Sequence, residues 1–177
     1  SLGYRDDQID IAALSTLEAT YWTPRGEYFD HQASSDSTSA KDIFDKIAEA
    51  GMGYFLLSDG LLSVGIEGVK SWTGIITPQD TVEEMQTSFR VPSEDDFDGV
   101  DVKYINPVTW AEETVQCRTP ENPFPRKTEA YTIDVAMTAD RAWRIGMRRL
   151  MKYLHQRRTY TATTSMLGWC HDFGDHI

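Results

Sequence analysis

The chain has 177 residues, 40% of them hydrophobic and 11% aromatic, and carries a net charge of −11 at pH 7. That length can bury a core as one domain or two small lobes, and that composition excludes a disordered chain. The acidic balance excludes a free nucleic-acid-binding protein, because phosphate contacts come chiefly from Lys and Arg, so no sequence-specific nucleic acid binding is expected. No apolar run approaches the ~20 residues that cross a bilayer, and no signal peptide is visible, so no membrane span is expected. Cys117 and Cys170 are too few for a disulfide framework and lack the C-x-x-C spacing of metal or redox work; two reduced thiols in a cytosolic protein are the expectation, a single bridge the alternative. The chain opens Ser1-Leu2-Gly3 and stops at Gly174-Asp175-His176-Ile177, which reads as the start of a strand. We expect a piece excised from a longer protein.

Ile11, Leu14, Leu17 and Glu18 recur at helical spacing within Asp10 to Thr20, and Thr23-Pro24-Arg25-Gly26 ends that helix in a turn. Glu27 to Asp30 reads as a short strand and Gln32 to Ser39 as a loop. Ser39 or Thr38 then caps a second helix, with Asp42 as the acidic member of a capping box, Ile43, Phe44, Ile47 and Ala48 facing inward, and Gly51 as the stop. Tyr54 to Leu57 and Leu61 to Val64 flank Ser58-Asp59-Gly60, a strong hairpin signal. Trp72 to Ile76 suggests another strand, Thr77 to Asp80 a turn, and Val82, Met85 and Phe89 are too irregular to assign. Pro92 to Gly99 is an acidic, solvated loop. Val100, Val102 and Tyr104 alternate with polar residues, Asn106 to Trp110 is a turn over which Trp110 can pack, and Thr114 to Cys117 is the return strand. Pro120 to Pro125 is irregular, and Tyr131 to Val135 is a short apolar segment.

The strongest pattern follows. Thr138 reads as an N-cap with Asp140 in the first turn. Ala139, Ala142, Trp143, Gly146, Met147, Leu150, Met151 and Leu154 make one apolar stripe, with Trp143, Met147 and Met151 as core. Arg141, Arg144, Arg148 and Lys152 lie opposite, with Arg149 at the flank and Arg157–Arg158 at the end. Residues 139–158 hold seven of the seventeen Lys and Arg and one of the twenty-eight Asp and Glu, about +6 in a chain of −11. One basic helix thus sits in an acidic body, either as an assembly surface or as a plain solvated face. On this reading Arg144→Glu and Arg148→Glu leave the fold intact, while Trp143→Ala costs about 3–5 kcal/mol. Thr159 to about Met166 has the β-branched and aromatic composition of a strand.

Several stretches resemble known ones. Gly99-Val100-Asp101-Val102-Lys103-Tyr104-Ile105-Asn106-Pro107-Val108-Thr109-Trp110 resembles the G-V-x-V-x-Y-x-[DN]-P-x-T-W hairpin of bacteriophage tail proteins similar to tail-tip attachment (host specificity) proteins and, more distantly, baseplate hubs. Ala142-Trp143-Arg144-Ile145-Gly146-Met147-Arg148 is similar to that family's A-W-x-x-G-x-R helix. Phe173-Gly174-Asp175-His176-Ile177 is similar to its P-G-D-x-[VI] strand start, with Phe173 in the place of proline. Together these cover about residues 90 to 177. The resemblance implies a virion or prophage structural protein, made in the bacterial host cytoplasm and placed at the tail tip. It further implies a homotrimer in the full-length protein that meets the distal tail protein, the tape measure protein and receptor-binding proteins, without catalysis or cofactor.

The chemical alternatives are specific. His171, Asp172, Asp175 and His176 are all metal-ligand types, but strand or loop spacing turns neighbours apart and Gly174 marks a turn, which favours a polar connection. Glu94, Asp95, Asp96 and Asp98 lack the alternation and closing Glu of an EF-hand loop. Cys170 beside His171 is a poor nucleophile–base pair, because adjacent residues rarely form the needed hydrogen bond. A cell-wall hydrolase needs two carboxylates facing each other in a cleft, and a carbohydrate-binding module needs exposed Trp22, Trp72 or Trp110 on one platform. The expected architecture is α+β, mainly antiparallel sheet with hairpins and about three packed helices, in lobes 1–90 and 91–177 that divide near residues 90 to 98.

Overall fold

The computed structural model describes residues 5–27, 30, 39–58, 60–68, 71–166 and 171. The first helix starts where Asp10 caps it, its side chain accepting from the Ala13 amide at 3.0 Å. Helix α1 (Ile11–Leu17) runs into a π-helical stretch, Glu18–Trp22, and a last turn, α2 (Thr23–Arg25), before Gly26 turns left-handed at φ 61°. The helical run thus outlasts the expected end at Thr20. A widened turn directly ahead of Pro24 accommodates a ring that lacks an N–H and crowds the carbonyl four residues back.

Helix α3 (Ala40–Ala50) has the expected capping box, with the Asp42 amide donating to Ser39 Oγ and the Ser39 amide to Asp42 Oδ2. It ends at Gly51, but the left-handed residue there is Met52, at φ 54°. Gly51 is small for another reason. The Trp22 indole donates to its carbonyl at 3.0 Å, and a Cβ would meet that indole at 3.1 Å. Strands β1 (Gly53–Ser58) and β2 (Leu61–Ile66) form the expected antiparallel hairpin, with Ser58 opposite Leu61.

Residues 72–76 form no strand. The turn at Thr77 holds, its amide donating to Asp80 Oδ2 at 2.9 Å. Beyond it β3 (Gln86–Phe89) forms where the irregular apolar spacing had suggested nothing, because a distant segment pairs with it.

The central sheet is built on the alternation of Val100, Val102 and Tyr104, all buried on β4 (Gly99–Ile105). Its neighbours are β5 (Glu112–Cys117), antiparallel, and β6 (Thr128–Ala136), parallel, in the order β5-β4-β6. The β6 segment is longer than its apolar run, and the parallel pairing interrupts an otherwise antiparallel set of ladders. In the β4–β5 turn, Asn106 accepts from the Val108 amide through Oδ1 and from the Trp110 amide through its carbonyl. Trp110 takes φ 53°, which turns its ring outward; it is 71% exposed and does not pack over the turn.

Helix α4 (Ala139–His155) begins at Thr138, whose extended backbone fits an N-cap although its side chain makes no capping hydrogen bond. Against the sheet it brings Gly146, where any Cβ would overlap Val102 and the Cys117 side chain. Ala142 and Leu150 are fully buried one turn to either side. Strand β7 (Arg158–Thr161) follows, shorter than expected, and pairs with β3. The fold is α+β. Elements on both sides of the expected boundary near 90–98 meet, since β3 pairs with β7 and Ala50 lies in the core with Val100 and Met137. Trp143, expected in the core, is 44% exposed, and the buried arc of α4 is centred instead on Arg141, Ala142, Ile145 and Gly146.

Candidate functional site

The shift of that arc has an electrostatic cause. Arg141, Ile145, Arg148 and Lys152 recur at four- and three-residue spacing and face the α3–β1–β2 lobe. Arg141 is only 3% exposed; its Nη2 donates to the Ala50 carbonyl at 2.5 Å, and Arg148 Nη1 donates to the Met52 carbonyl at 2.8 Å. The last carbonyls of a helix have no partner within it and carry the negative end of its dipole, which suits guanidinium donors. Arg141 thereby closes the C-terminus of α3, while Arg148 ties down the turn that leads from it into β1.

Carboxylates from several elements complete this seam. Glu67, just past β2, pairs with both Arg148 and Lys152. Glu129 of β6 takes Arg149 through two hydrogen bonds of 2.7 and 2.9 Å. Asp96 receives Arg157 at 2.8 Å and also Arg90. Glu27 lies 3.8 Å from Arg144, which meets Asp140 one turn back. Hydrogen bonding by Arg149 holds Glu129 below the usual carboxylate range. Burial pushes Glu67 up, but its bonds to Lys152 and Arg148 outweigh that and leave it lowered. Glu27 is 6% exposed and accepts no hydrogen bond among the described residues; charge alone holds it, against Arg144 and the buried Arg141.

The expectation that Arg141, Arg144, Arg148 and Lys152 lie together on one outward face is corrected: Arg141 is buried, whereas the Arg144 and Lys152 side chains stay 39% and 47% exposed. Each has an intramolecular partner in a carboxylate or a main-chain carbonyl. Sequence reasoning missed Glu67 and Glu129, and placed Glu27 in a strand and Asp96 in an acidic loop without seeing their pairing with arginine. Their only signal is the excess of acidic residues outside 139–158, which does not say which of them α4 meets.

Between α3, β1 and α4 the seam encloses a cleft of about 100 Å³ lined by Glu49, Glu67, Tyr131, Arg148, Arg149 and Lys152. Two carboxylates share it, as a glycan hydrolase requires. Yet Glu67 is held ionised by two cations, Glu49 accepts the Tyr131 hydroxyl, and the space admits waters rather than a sugar ring.

The acidic loop is solvated at its tip, where the Glu94 and Asp95 side chains are 91% and 95% exposed, and tethered on its C-terminal side. Asp98 accepts from the Arg126 and Lys127 amides and from Asn122, Asp96 is clamped by its arginines, and Glu94 and Asp95 lie near Arg126 and Lys127. No group of three potential metal ligands occurs among the described residues. Of the H-D-x-x-D-H run only His171 is described; Asp172, Asp175, His176 and Cys170 lie outside the described residues, as does Phe173 to Ile177. Cys117 is a buried free thiol whose pKa burial pushes up to about 11, so it stays protonated against the sheet. Of the tryptophans proposed for a binding platform, Trp22 is spent on Gly51, while Trp72 (78%) and Trp110 are exposed on separate segments.

No helix among the described residues is long and apolar enough to cross a membrane. No family model matches the chain, and no curated protein is significantly similar to it.

Proposed function

We propose that this chain is a non-enzymatic structural part of a phage or prophage tail tip, from a hub that attaches the particle to its host. In this reading the full-length parent is a homotrimer joined to the distal tail protein, the tape measure protein and receptor-binding proteins. What supports it is the packing of two motif-bearing segments on each other. Gly146, from the run Ala142 to Arg148, meets Val102, from the run Gly99 to Trp110. The two stretches that resemble tail proteins are thus a single helix-on-hairpin unit. The ion-pair seam adds a second argument, since the cations of α4 serve to fasten elements together rather than to meet a substrate.

The test is immunogold labelling of purified particles from a host that encodes the parent chain. Label confined to the distal tail end is the expected result. Absence of the chain from particles, or release of reducing sugar from cell walls by the purified chain, sinks the proposal. Exposed Trp72 and Trp110 favour one alternative, a carbohydrate-binding module. That reading predicts quenching of tryptophan fluorescence by host-wall glycan, lost in Trp72→Ala or Trp110→Ala.

A further inference from the structure

Strands β3 and β7 make a ribbon of their own. All eight of its residues are exposed, and no third strand joins it among the described residues. The ladder continues past the strands, through the Arg90 amide to the Arg157 carbonyl and the Val82 amide to the Thr163 carbonyl. A two-stranded ribbon in water is marginal by itself, and among the described residues no main-chain group pairs with either of its outer edges. Exposed apolar residues are frequent in the two stretches of chain that carry it. Among the described residues fifteen large hydrophobics are exposed, and eight of them fall in two stretches: Trp72, Ile75, Val82, Met85, Phe89 and Val91, then Tyr160 and Met166. Together these leave on the order of 1,000 Å² open, against the ~800 Å² that each side of a standard interface contributes.

The charges say what covers it. The chain as a whole is at −11, so two copies repel each other over most of their surfaces. The ribbon is polarised: Asp80, Glu83 and Glu84 stand at one end, and Arg90, Arg157 and Arg158 at the other, where Asp96 bridges Arg90 and Arg157 but leaves the Arg90 side chain 69% exposed. Arg158 meets no carboxylate among the described residues and rests over the Phe89 ring, 5.9 Å from its centroid. Such a ribbon is complementary to itself when turned end for end.

The geometry points to a two-fold contact in which the β3 edge of one copy pairs antiparallel with the β3 edge of a second. With Arg90 bonded across to Arg157, alternation turns the main-chain groups of Thr87 and Phe89 away from β7, toward the open edge. Pairing centred on Thr87 sets Phe89 opposite Met85 of the other copy, an aromatic–sulfur contact, and Arg90 opposite its Glu84. Each pair occurs twice by symmetry. The contact is independent of the assignment to a tail.

Sedimentation equilibrium and oxidative cross-linking test it. The chain should dimerise with concentration, and Glu84→Arg, at an exposed position outside any described ion pair, should weaken the dimer roughly tenfold. Thr87→Cys, in a background lacking Cys170, should form a covalent dimer, since directly paired Cα atoms ~5.5 Å apart fall within disulfide range. Thr159→Cys, on the far strand, should not. A monomer at every concentration, or equal cross-linking of both variants, overturns the contact. A trimer indifferent to Glu84→Arg also overturns it, while leaving the tail reading standing.

Discussion

At the scale of single residues, the side chains that matter most on α4 are those whose polarity disguised their burial. Arg141 is buried to its tip and faces both the Ala50 carbonyl and the Glu27 carboxylate. Removing it strands a buried acceptor and a poorly compensated charge. Arg141→Ala should therefore cost about 2–4 kcal/mol in chemical denaturation. Trp143→Ala, with half its ring in water, should cost about 1–2 kcal/mol. The opposite ranking would show that the seam does not hold α4. Gly146 is constrained by contact rather than by backbone conformation, because the helix touches Val102 and Cys117 there. Gly146→Ala gains helix propensity but should still lose about 1–3 kcal/mol to overpacking.

At the scale of elements, caps and turns were readable because they are local. The Ser39–Asp42 box and the turn at Gly60, at φ 79°, each satisfy or shape backbone within a few residues, and each stands where its chemistry placed it. Pairings between distant strands were not readable. Nothing local says that β3 meets β7, or that β6 runs parallel to β4. One side chain fastens the start of that parallel pair: Asp98 binds the Arg126 and Lys127 amides at 2.9 and 2.8 Å. Asp98→Ala should raise hydrogen exchange at those two amides and at the first residues of β4 and β6, leaving α4 protected. Uniform loss of protection would mean that Asp98 supports the whole fold rather than one corner.

At the scale of the molecule, carboxylates fasten distant segments of the chain to one another. Asp96, Asp98, Glu67 and Glu129 all have pKa values lowered from ordinary values of 3.8 to 4.5. Arg157 is the main cause for Asp96 and Arg149 for Glu129, whereas backbone amides outweigh burial at Asp98. The folded state thus binds fewer protons than the unfolded chain in this range. Stability should be fully present above about pH 4.5 and fall as the pH drops through the ordinary carboxylate range. Urea midpoints between pH 3 and 7 check the sign; a rise on acidification would contradict it. Glu67→Gln should flatten the curve, because it removes the carboxylate shared by Arg148 and Lys152.

The sequence by itself determined the class of the fold, the two apolar signals of α4 and β4, the Ser39 capping box, and the imbalance between one basic helix and an acidic chain. These follow from periodicity, local hydrogen bonding and composition, which need no knowledge of neighbours. Only the tertiary structure decided where the imbalance is resolved. An amphipathic pattern gives a helix one buried face, but α4 is covered on two sides, by the sheet and by the end of α3. Its arginines became internal fasteners because long side chains can bury their stems and still deliver donors to carbonyls and carboxylates. Which carboxylate meets which arginine depends on the path of the chain between them, and that path is set by packing.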